Sequence, residues 1–480
     1  MENNKQKILI IGSGGREHAI GWKIKQSPNC GELYFAPGNG GTSLLGTNID
    51  IKATDIEALI KFAKTGKIDP VRSRSPQGDR STRFARAASN GVDLTLAVPD
   101  DPLALGIVDE FKKEGLRIWG PTKNAAKLEW SKAFAKDFME RHNLPTAKFK
   151  IFTDMVEAKK YVKEHSFPLV IKASGLALGK GVIIAQNLEE ANKTLEDIFV
   201  NKVFGVAGEE IVIEEFLIGP EISIHAFSDG KNYKMFPPAQ DHKKIGENDT
   251  GLNTGGMGTI APLPFVTDEI LKEAENKIVA PTLKGMQEEN NNFLGLLYPG
   301  LMLTKDGLEI IEFNSRFGDP ETETYMRLLD SDLLQIFNAC IDGTLNEIEI
   351  KWKKMFACTI VLASGGYPEK YEKGKIISGI DSSLEEYPKG EVDDLNLSTP
   401  SRKRDTPQEG NKDIVIFHAG TKYDENHNLV TNGGRVLGVS ATGDNLKEAL
   451  EKAYKAIEKI SFEGMYYRKD IGQKTLAMKV

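Results

Sequence analysis

A chain of 480 residues is too long for one ordinary core, and the usual size prior predicts about three domains. With 40% hydrophobic and 27% charged residues, its composition is that of a globular protein rather than a disordered or membrane one. The formal charge of −7, from 62 Lys and Arg against 69 Asp and Glu, argues against a nonspecific nucleic-acid binder. Cys30, Cys340 and Cys358 lie too far apart to spell a disulfide framework or a zinc site. The first apolar run is too short for a signal peptide or a membrane span, so the expectation is a cytoplasmic protein with neither membrane nor nucleic-acid partner.

Residues 1–127 predict a Rossmann-like α/β domain: an apolar strand at 8–11, a glycine-rich turn, helices through Ile20 and Ile24 and over 56–63, and strands at 94–98 and 118–119. Residues 66–89 break this pattern with Arg72, Arg74, Arg80, Arg83 and Arg86 among Ser, Pro and Gly, the composition of a polar insertion loop. After Pro121, the spacing of Leu128, Phe134, Ala135, Phe138 and Met139 predicts one helix ending before Pro145. Short β-rich runs at 169–173, 182–185, 211–216, 222–227 and 308–313 make 128–352 a mixed α+β domain. Residues 353–480 predict a smaller α+β domain. It closes on a helix with Leu446, Ala449, Leu450, Ala453, Ile457 and Ile460 on one face, and residues 395–412 form a second flexible loop.

The candidate chemistry begins at residues 12–18, where Gly14, Gly15 and Arg16 follow a strand and open a helix. Such a turn lets backbone N–H groups approach a phosphate, although the same pattern serves dinucleotide sites and plain helix–strand packing. A second tight turn at 37–41, containing Asn39, follows the second strand and belongs beside the first at the sheet's carboxyl edge. Lys172 interrupts an apolar strand before a glycine-rich hairpin with Gly179, Lys180 and Gly181, an arrangement suited to gripping and covering a triphosphate. It is not a P-loop, because no Gly-Lys-Ser/Thr opens a helix. Glu214, Glu215, Phe216, Leu217 and Glu221 form an acidic linker able to read an adenine edge and ribose hydroxyls.

On the strand before residue 315, alternation puts Glu312 and Asn314 on one face and turns Ile311 and Phe313 to the core. One carboxylate and one amide suit magnesium whose remaining ligands are phosphate and water. The run at 294–303 adds no carboxylate, so the nucleotide must complete the site. Arg316 and Asp319 follow directly, and Arg316 is placed to meet a transferring phosphoryl group. Asp241, with the glycine loop Thr254, Gly255, Gly256 and Met257, is suited to a small zwitterion, its carboxylate meeting an ammonium; His242 reads as an ordinary hydrogen-bonded histidine.

Taken in order, these motifs resemble the ATP-grasp ligases, most closely the glycinamide ribonucleotide synthetase family, through residues 12–18, 37–41, 240–244, 253–258 and 312–321. The resemblance implies an ADP-forming carbon–nitrogen ligase of de novo purine biosynthesis. Such an enzyme joins glycine to 5-phospho-D-ribosylamine through a glycyl phosphate, with ATP as cosubstrate and Mg²⁺ or Mn²⁺ as cofactor. It also implies small-molecule partners only and a monomer or weak homodimer. By that likeness Gly14, Gly15, Arg16, Asn39 and Asp101 surround phosphoribosylamine in the domain 1–127. Lys132, Lys172, Gly179, Lys180, Gly181, Glu214, Glu215, Phe216, Leu217 and Glu221 meet ATP under a mobile lid at about 146–217. Glu312 and Asn314 hold the metal, Asp241 and Arg316 are catalytic, and Thr254, Gly255, Gly256, Met257 and Asp319 border the substrates. The family pattern Gly-Pro-Glu-x-Pro-Leu stands here as Val98-Pro99-Asp100-Asp101-Pro102-Leu103. Another ATP-grasp ligase with a different acid and amine, or a noncatalytic nucleotide sensor, would use much of the same constellation.

Overall fold

The near-continuous apolar run from Ile8 to Ile11 is wholly buried, as expected of a parallel strand covered on both faces. It is the central strand, Gln6–Gly12, of a parallel sheet whose spatial order is Thr47–Asn48, Cys30–Pro37, Gln6–Gly12, Leu94–Ala97, Ile118–Trp119. The chain first winds outward from Gln6–Gly12 on one side and then crosses to the other, creating a switch point. Open α/β sheets bind ligands outside the carboxyl ends of the strands at such a point. The turns after Gly12, Pro37 and Ala97 all open there. The computed structural model describes residues 5–67, 91–175, 181–380 and 413–478, so the 395–412 loop and all but the first two residues of the 66–89 insertion lie outside the described residues.

The single helix expected after Pro121 is two, Lys127–Trp130 and Lys132–Arg141. Ser131 separates them in an extended conformation, and its hydroxyl caps the second helix by accepting from the Phe134 N–H at 3.3 Å. The break presents the Lys132 N–H to the Ser174 carbonyl at 2.8 Å and ties this helix to the lysine-bearing strand. That strand, Leu169–Ala173, belongs to an antiparallel sheet ordered Phe149–Phe152, Ile211–Glu215, Leu169–Ala173, Val182–Ala185. Helices Met155–Lys163 and Leu188–Phe199 pack with it around a small core of their own that includes Phe152, Ala158, Ile171, Leu195 and Ile213. A second antiparallel sheet pairs Leu294–Thr304 with Gly307–Asn314 on one side of its path and with Glu221–Ser223 and Ala226–Asp229 along it.

Among the carboxyl-terminal strands, Thr421–Tyr423 and Leu429–Thr431 pair with each other, while the longer ones join strands from the middle of the chain. Phe356–Ala363, Arg435–Gly443 and Ile414–His418 extend a sheet begun by Gln240–Asp241 and Gly258–Ala261, and the helix Leu446–Ile457 packs against it. The glycine loop at 254–257 therefore springs from a sheet whose other strands lie a hundred and more residues downstream. Among the described residues no helix is long and apolar enough to cross a membrane. An aromatic cluster joins the amino-terminal sheet to the middle of the chain: the Trp119 ring lies 4.8 Å from Phe337 and 5.3 Å from Phe317. Phe337 is fully buried. Its truncation to Ala leaves a cavity at this junction and is expected to cost about 3–5 kcal/mol, read by urea unfolding with tryptophan fluorescence. A loss under about 1 kcal/mol would show that the junction contributes little.

Candidate active site

Glu312 and Asn314 lie on the strand Gly307–Asn314, whose pairing with Leu294–Thr304 slips by one residue: Gly300 pairs with Glu312 but Leu301 with Ile310. Ile311 is the extra residue of a β-bulge. Simple alternation put Ile311 in the core. Instead Leu308 and Ile310 are buried, Ile311 is only half-buried, and Phe313 returns to the core after the slip. The bulge also aims the Ile311 carbonyl at Lys172, whose Nζ donates to it at 2.9 Å. Opposite Glu312 stands Gly300, where a Cβ would come within 3.5 Å of the Glu312 Cγ; without one, no side chain from that position covers the carboxylate.

Lysines crowd this strand. Buried Lys172 pairs with Glu214 at 2.9 Å, and Lys136 reaches the same carboxylate at 3.2 Å while donating to the Thr146 hydroxyl at 2.6 Å. Burial drives the Lys136 pKa down to about 8 despite Glu214. Lys132 donates to the Gly175 carbonyl at 3.2 Å, and burial lowers its pKa as well. Lys243 bridges Glu221 at 3.2 Å and Glu312 at 3.3 Å. Lys243 first, with Lys172 and Lys132, holds the Glu312 pKa at about 2, so the carboxylate is ionised at any ordinary pH. An ionised acid and an amide oxygen fit a hard divalent cation, but the described residues hold no cluster of three His, Cys, Asp or Glu side chains that would bind one unaided. Phosphate oxygens must supply the remaining ligands.

The strand end meets the amino-terminal glycine turn through two arginines. Arg316 pairs with Glu129 at 3.0 Å and donates to the Asn314 side-chain oxygen at 3.1 Å, while Arg16 is held by Glu17 at 2.8 Å. Both guanidinium groups donate to the Phe317 carbonyl, at 3.2 Å from Arg16 and 3.3 Å from Arg316. Asp100 lies 3.8 Å from Arg16, whereas Asp101 is exposed. Burial would raise the Asp100 pKa, but Arg316 and Arg16 hold it below the usual range. Asn39 spends its side chain on the scaffold: its amide nitrogen donates to the carbonyls of Ser13 at 2.9 Å and His418 at 2.8 Å, and its oxygen accepts from the Gly41 and Thr42 N–H groups. At Gly15 a Cβ would lie 2.2 Å from the Glu323 carboxylate, so a side chain there would displace Glu323.

Asp241 is largely enclosed, and its Oδ1 has no hydrogen-bond partner. Burial, then the neighbouring Glu321, pushes its pKa well above the carboxylate range. Glu321 accepts hydrogen bonds from the Tyr298 and Ser223 hydroxyls. Gly256, at φ +113°, threads a gap in which a Cβ would lie 2.5 Å from Pro320 and 2.6 Å from Asp241. Thr254 holds the loop by donating to the Lys243 carbonyl at 2.8 Å and accepting from the Gly256 N–H at 2.9 Å. Met257 is fully buried, and its N–H donates to the His242 carbonyl at 2.9 Å. His242 bonds the Gly258 carbonyl through Nδ1 and accepts from the Gly472 N–H through Nε2; with burial lowering its pKa to about 4 it is a neutral structural residue.

Lys132, Lys172, Glu214, Glu221, Glu312, Asn314 and Arg316 thus converge, with Asp241 and the glycine loop at one side and Arg16 at the other. Glu215, at the end of its strand, and Phe216, just beyond it, are exposed, followed by half-buried Leu217, and Gly181 pairs its carbonyl with the Ala173 N–H. Gly179 and Lys180 lie outside the described residues. Not singled out in the sequence were Lys136, Glu129, Tyr298 and Glu321. Only Lys136 left a signal, standing four residues after Lys132 and so on the same helical face.

The backbone is similar to the crystal structure of the biotin carboxylase domain of 2-oxoglutarate carboxylase from Hydrogenobacter thermophilus, with a TM-score of 0.65 at 16% identity over 96% of this chain and 91% of that one, a likeness of fold. The class is defined by a family match: residues 130–322 match an ATP-grasp (A) domain, the domain of enzymes that use ATP and a divalent metal. The phosphoribosylglycinamide synthetase N domain matches residues 6–76 and 73–129, its ATP-grasp (A) domain residues 130–322, and its C domain residues 357–474. The chain belongs to the phosphoribosylglycinamide synthetase family. It is 44% identical to a phosphoribosylamine–glycine ligase of Yersinia pestis over 98% of this chain and 99% of that one. The crystal structure of phosphoribosylamine–glycine ligase from Thermotoga maritima matches with a TM-score of 0.72 at 32% identity, over 97% of this chain and 99% of that one.

With a folded pKa of about 2 against 4.5 for the free carboxyl, Glu312 contributes stability that is complete above the free value and is lost as pH falls through the folded one. The stability gap between wild type and Glu312→Gln is therefore expected to be constant above about pH 5 and to shrink toward about pH 3, read by urea titration. A gap independent of pH would contradict the lysine cradle.

Proposed function

We propose that the chain ligates glycine to 5-phospho-D-ribosylamine with ATP, giving glycinamide ribonucleotide, ADP and phosphate, the activity named for its full-length relatives. The observation that carries this reading is the gathering of Lys132, Lys136, Lys172 and Lys243 about only Glu214, Glu221 and Glu312, an excess of positive charge that a polyphosphate neutralises. A carboxylate is a poor acceptor for an amine until one of its oxygens becomes part of a leaving group. In the first step a glycine carboxylate oxygen bonds to the γ-phosphorus as the bond to the departing ADP breaks. In the second, the ribosylamine nitrogen attacks the glycyl carbonyl carbon, loses a proton, and phosphate leaves with the carbon–oxygen bond electrons.

Both steps need positioning and charge neutralisation, and neither needs a covalent nucleophile from the protein. Lys132, Lys172 and Lys243 hold phosphate oxygens, while Arg316 faces the transferring phosphoryl group. Glu312 and Asn314 would hold Mg²⁺, which supplies neutralisation of phosphate charge when bound. Asp241 meets the glycine ammonium beside the loop at 254–257. The Gly14–Gly15–Arg16 turn receives the ribose phosphate, with Asp100 a nearer neighbour of Arg16 than Asp101. Residues 146–217, whose described part has a small core of its own, form the lid over the nucleotide.

The test is ADP release dependent on glycine, measured with and without phosphoribosylamine, and the product's mass. Expected is release requiring both substrates and a product of glycinamide ribonucleotide mass. Activity only with a different acid or amine would assign another ligase of the class, and tight ATP binding without turnover would assign a sensor. Lys172→Ala is expected to raise KM for ATP about tenfold or more, and Glu312→Ala to abolish metal-dependent turnover in a protein that stays folded by circular dichroism. Full activity in Glu312→Ala would exclude that residue from the metal site.

A further inference from the structure

The loop at 254–257 is held from both sides by residues that none of the motifs above contains. The strand Arg435–Gly443 pairs with Phe356–Ala363 in regular register until its first residues, where Leu437 faces Leu362 but Arg435 faces Ala363. Val436 is thus the extra residue of a bulge, and bulges re-aim the side chains beside them. The Arg435 side chain reaches the glycine loop: its Nη1 lies 2.6 Å from the Gly255 carbonyl, 2.7 Å from the Asp319 carbonyl and 3.0 Å from the Asp319 carboxylate. On the other side of the same residue, the Gly255 N–H donates to the Tyr367 hydroxyl at 3.1 Å.

The glycines fit these partners. A Cβ at Gly255 would lie 2.9 Å from the Arg435 guanidinium carbon, so the guanidinium can lie against that residue only if it is glycine. A Cβ at Gly434 would lie 2.2 Å from the Tyr367 ring, so glycine there gives the ring its seat. Gly256, next in the loop, is confined between Pro320 and the unpartnered Asp241 oxygen. Arg435 thereby ties the loop to the Asp319–Pro320 turn, which leads from the metal strand into the helix Glu321–Leu328.

We infer that Arg435 and Tyr367, from the carboxyl-terminal region, form a positioning clamp that fixes the Gly255 and Gly256 peptides against Asp241 and so shapes the amino-acid subsite. The assignment of that subsite to glycine rests on the proposed ligation. The clamp itself rests on the contacts just given. It links the carboxyl-terminal domain to the reaction without placing any of that domain's side chains on the reacting atoms. It also supplies a reason for a narrow acceptor site: a glycine held at both its N–H and its C=O, and so on both flanking peptides, leaves little freedom to accommodate an acid bearing a side chain.

Two readouts separate the clamp from the ligation. Hydrogen–deuterium exchange in the ligand-free protein, followed on peptides spanning 244–258, is expected to quicken at Gly255 and Gly256 in Tyr367→Phe and Arg435→Met, with the rest of the protein unchanged. In steady-state kinetics, Arg435→Met is expected to raise KM for glycine about tenfold and Tyr367→Phe about threefold, with KM for ATP within about twofold of wild type. Arg435→Lys, which keeps the charge but not the planar fork, should recover part of the glycine effect. The double variant should fall short of the product of the single effects, because both residues act on one loop. Unchanged exchange in Tyr367→Phe and Arg435→Met, or equal rises in KM for glycine and ATP, would overturn the clamp. A wild-type enzyme that shows no glycine-dependent ADP release would overturn the ligation reading, while the exchange measurement would still decide the clamp.

Discussion

Everything at this site depends on how few carboxylates face how many ammonium groups. Lys172 and Lys136 share Glu214, while Lys243 divides itself between Glu221 and Glu312. Lys132 has a backbone carbonyl as its contact. Burying a surplus of cations is costly unless an anion compensates them, and the lowered pKa values of Lys132 and Lys136 are signs of that cost. In the proposed ligation a triphosphate with its bound divalent metal would supply the missing charge, and Glu312 and Asn314 would be half a metal site that the nucleotide completes.

Backbone irregularities, more than side-chain choice, aim these groups. The bulge at Ile311 turns a carbonyl toward Lys172, the break at Ser131 brings Lys132 to the lysine strand, and the bulge at Val436 directs Arg435 to the glycine loop. Each is a single-residue departure from regular geometry, and each joins segments far apart in the chain. The two arginines on the Phe317 carbonyl serve the same end, bringing the switch point of the parallel sheet to the end of the metal strand. One site is thereby assembled from three regions of sequence.

What could be read from the sequence was local. An apolar run followed by Gly12-Ser13-Gly14-Gly15 announces a parallel strand and the turn that opens a helix because pattern and turn residues are adjacent. Lys172 stands out because its neighbours are apolar. The phase of the metal strand was misjudged at Ile311, since a bulge is defined by the partner strand and not by the strand that contains it. Lys136 is not picked out by its neighbours, and its burial follows from Glu214, seventy-eight residues on. Asn39 looked like a ligand, yet its side chain is used by the scaffold, including a bond to His418 that no local pattern could suggest. The sharing of one sheet between residues 240–261 and the carboxyl-terminal strands was hidden for the same reason.

In the proposed ligation the carboxylate is activated beside the lysine cradle as an acyl phosphate before an amine attacks. Glycine carrying heavy oxygen in its carboxylate, turned over with ATP and phosphoribosylamine, tests this most directly. Transfer of one heavy oxygen from each glycine to the released inorganic phosphate, measured by mass spectrometry, is the predicted result. Unlabelled phosphate, with both heavy oxygens absent from it through many turnovers, would contradict an acyl phosphate and require a different route to the amide.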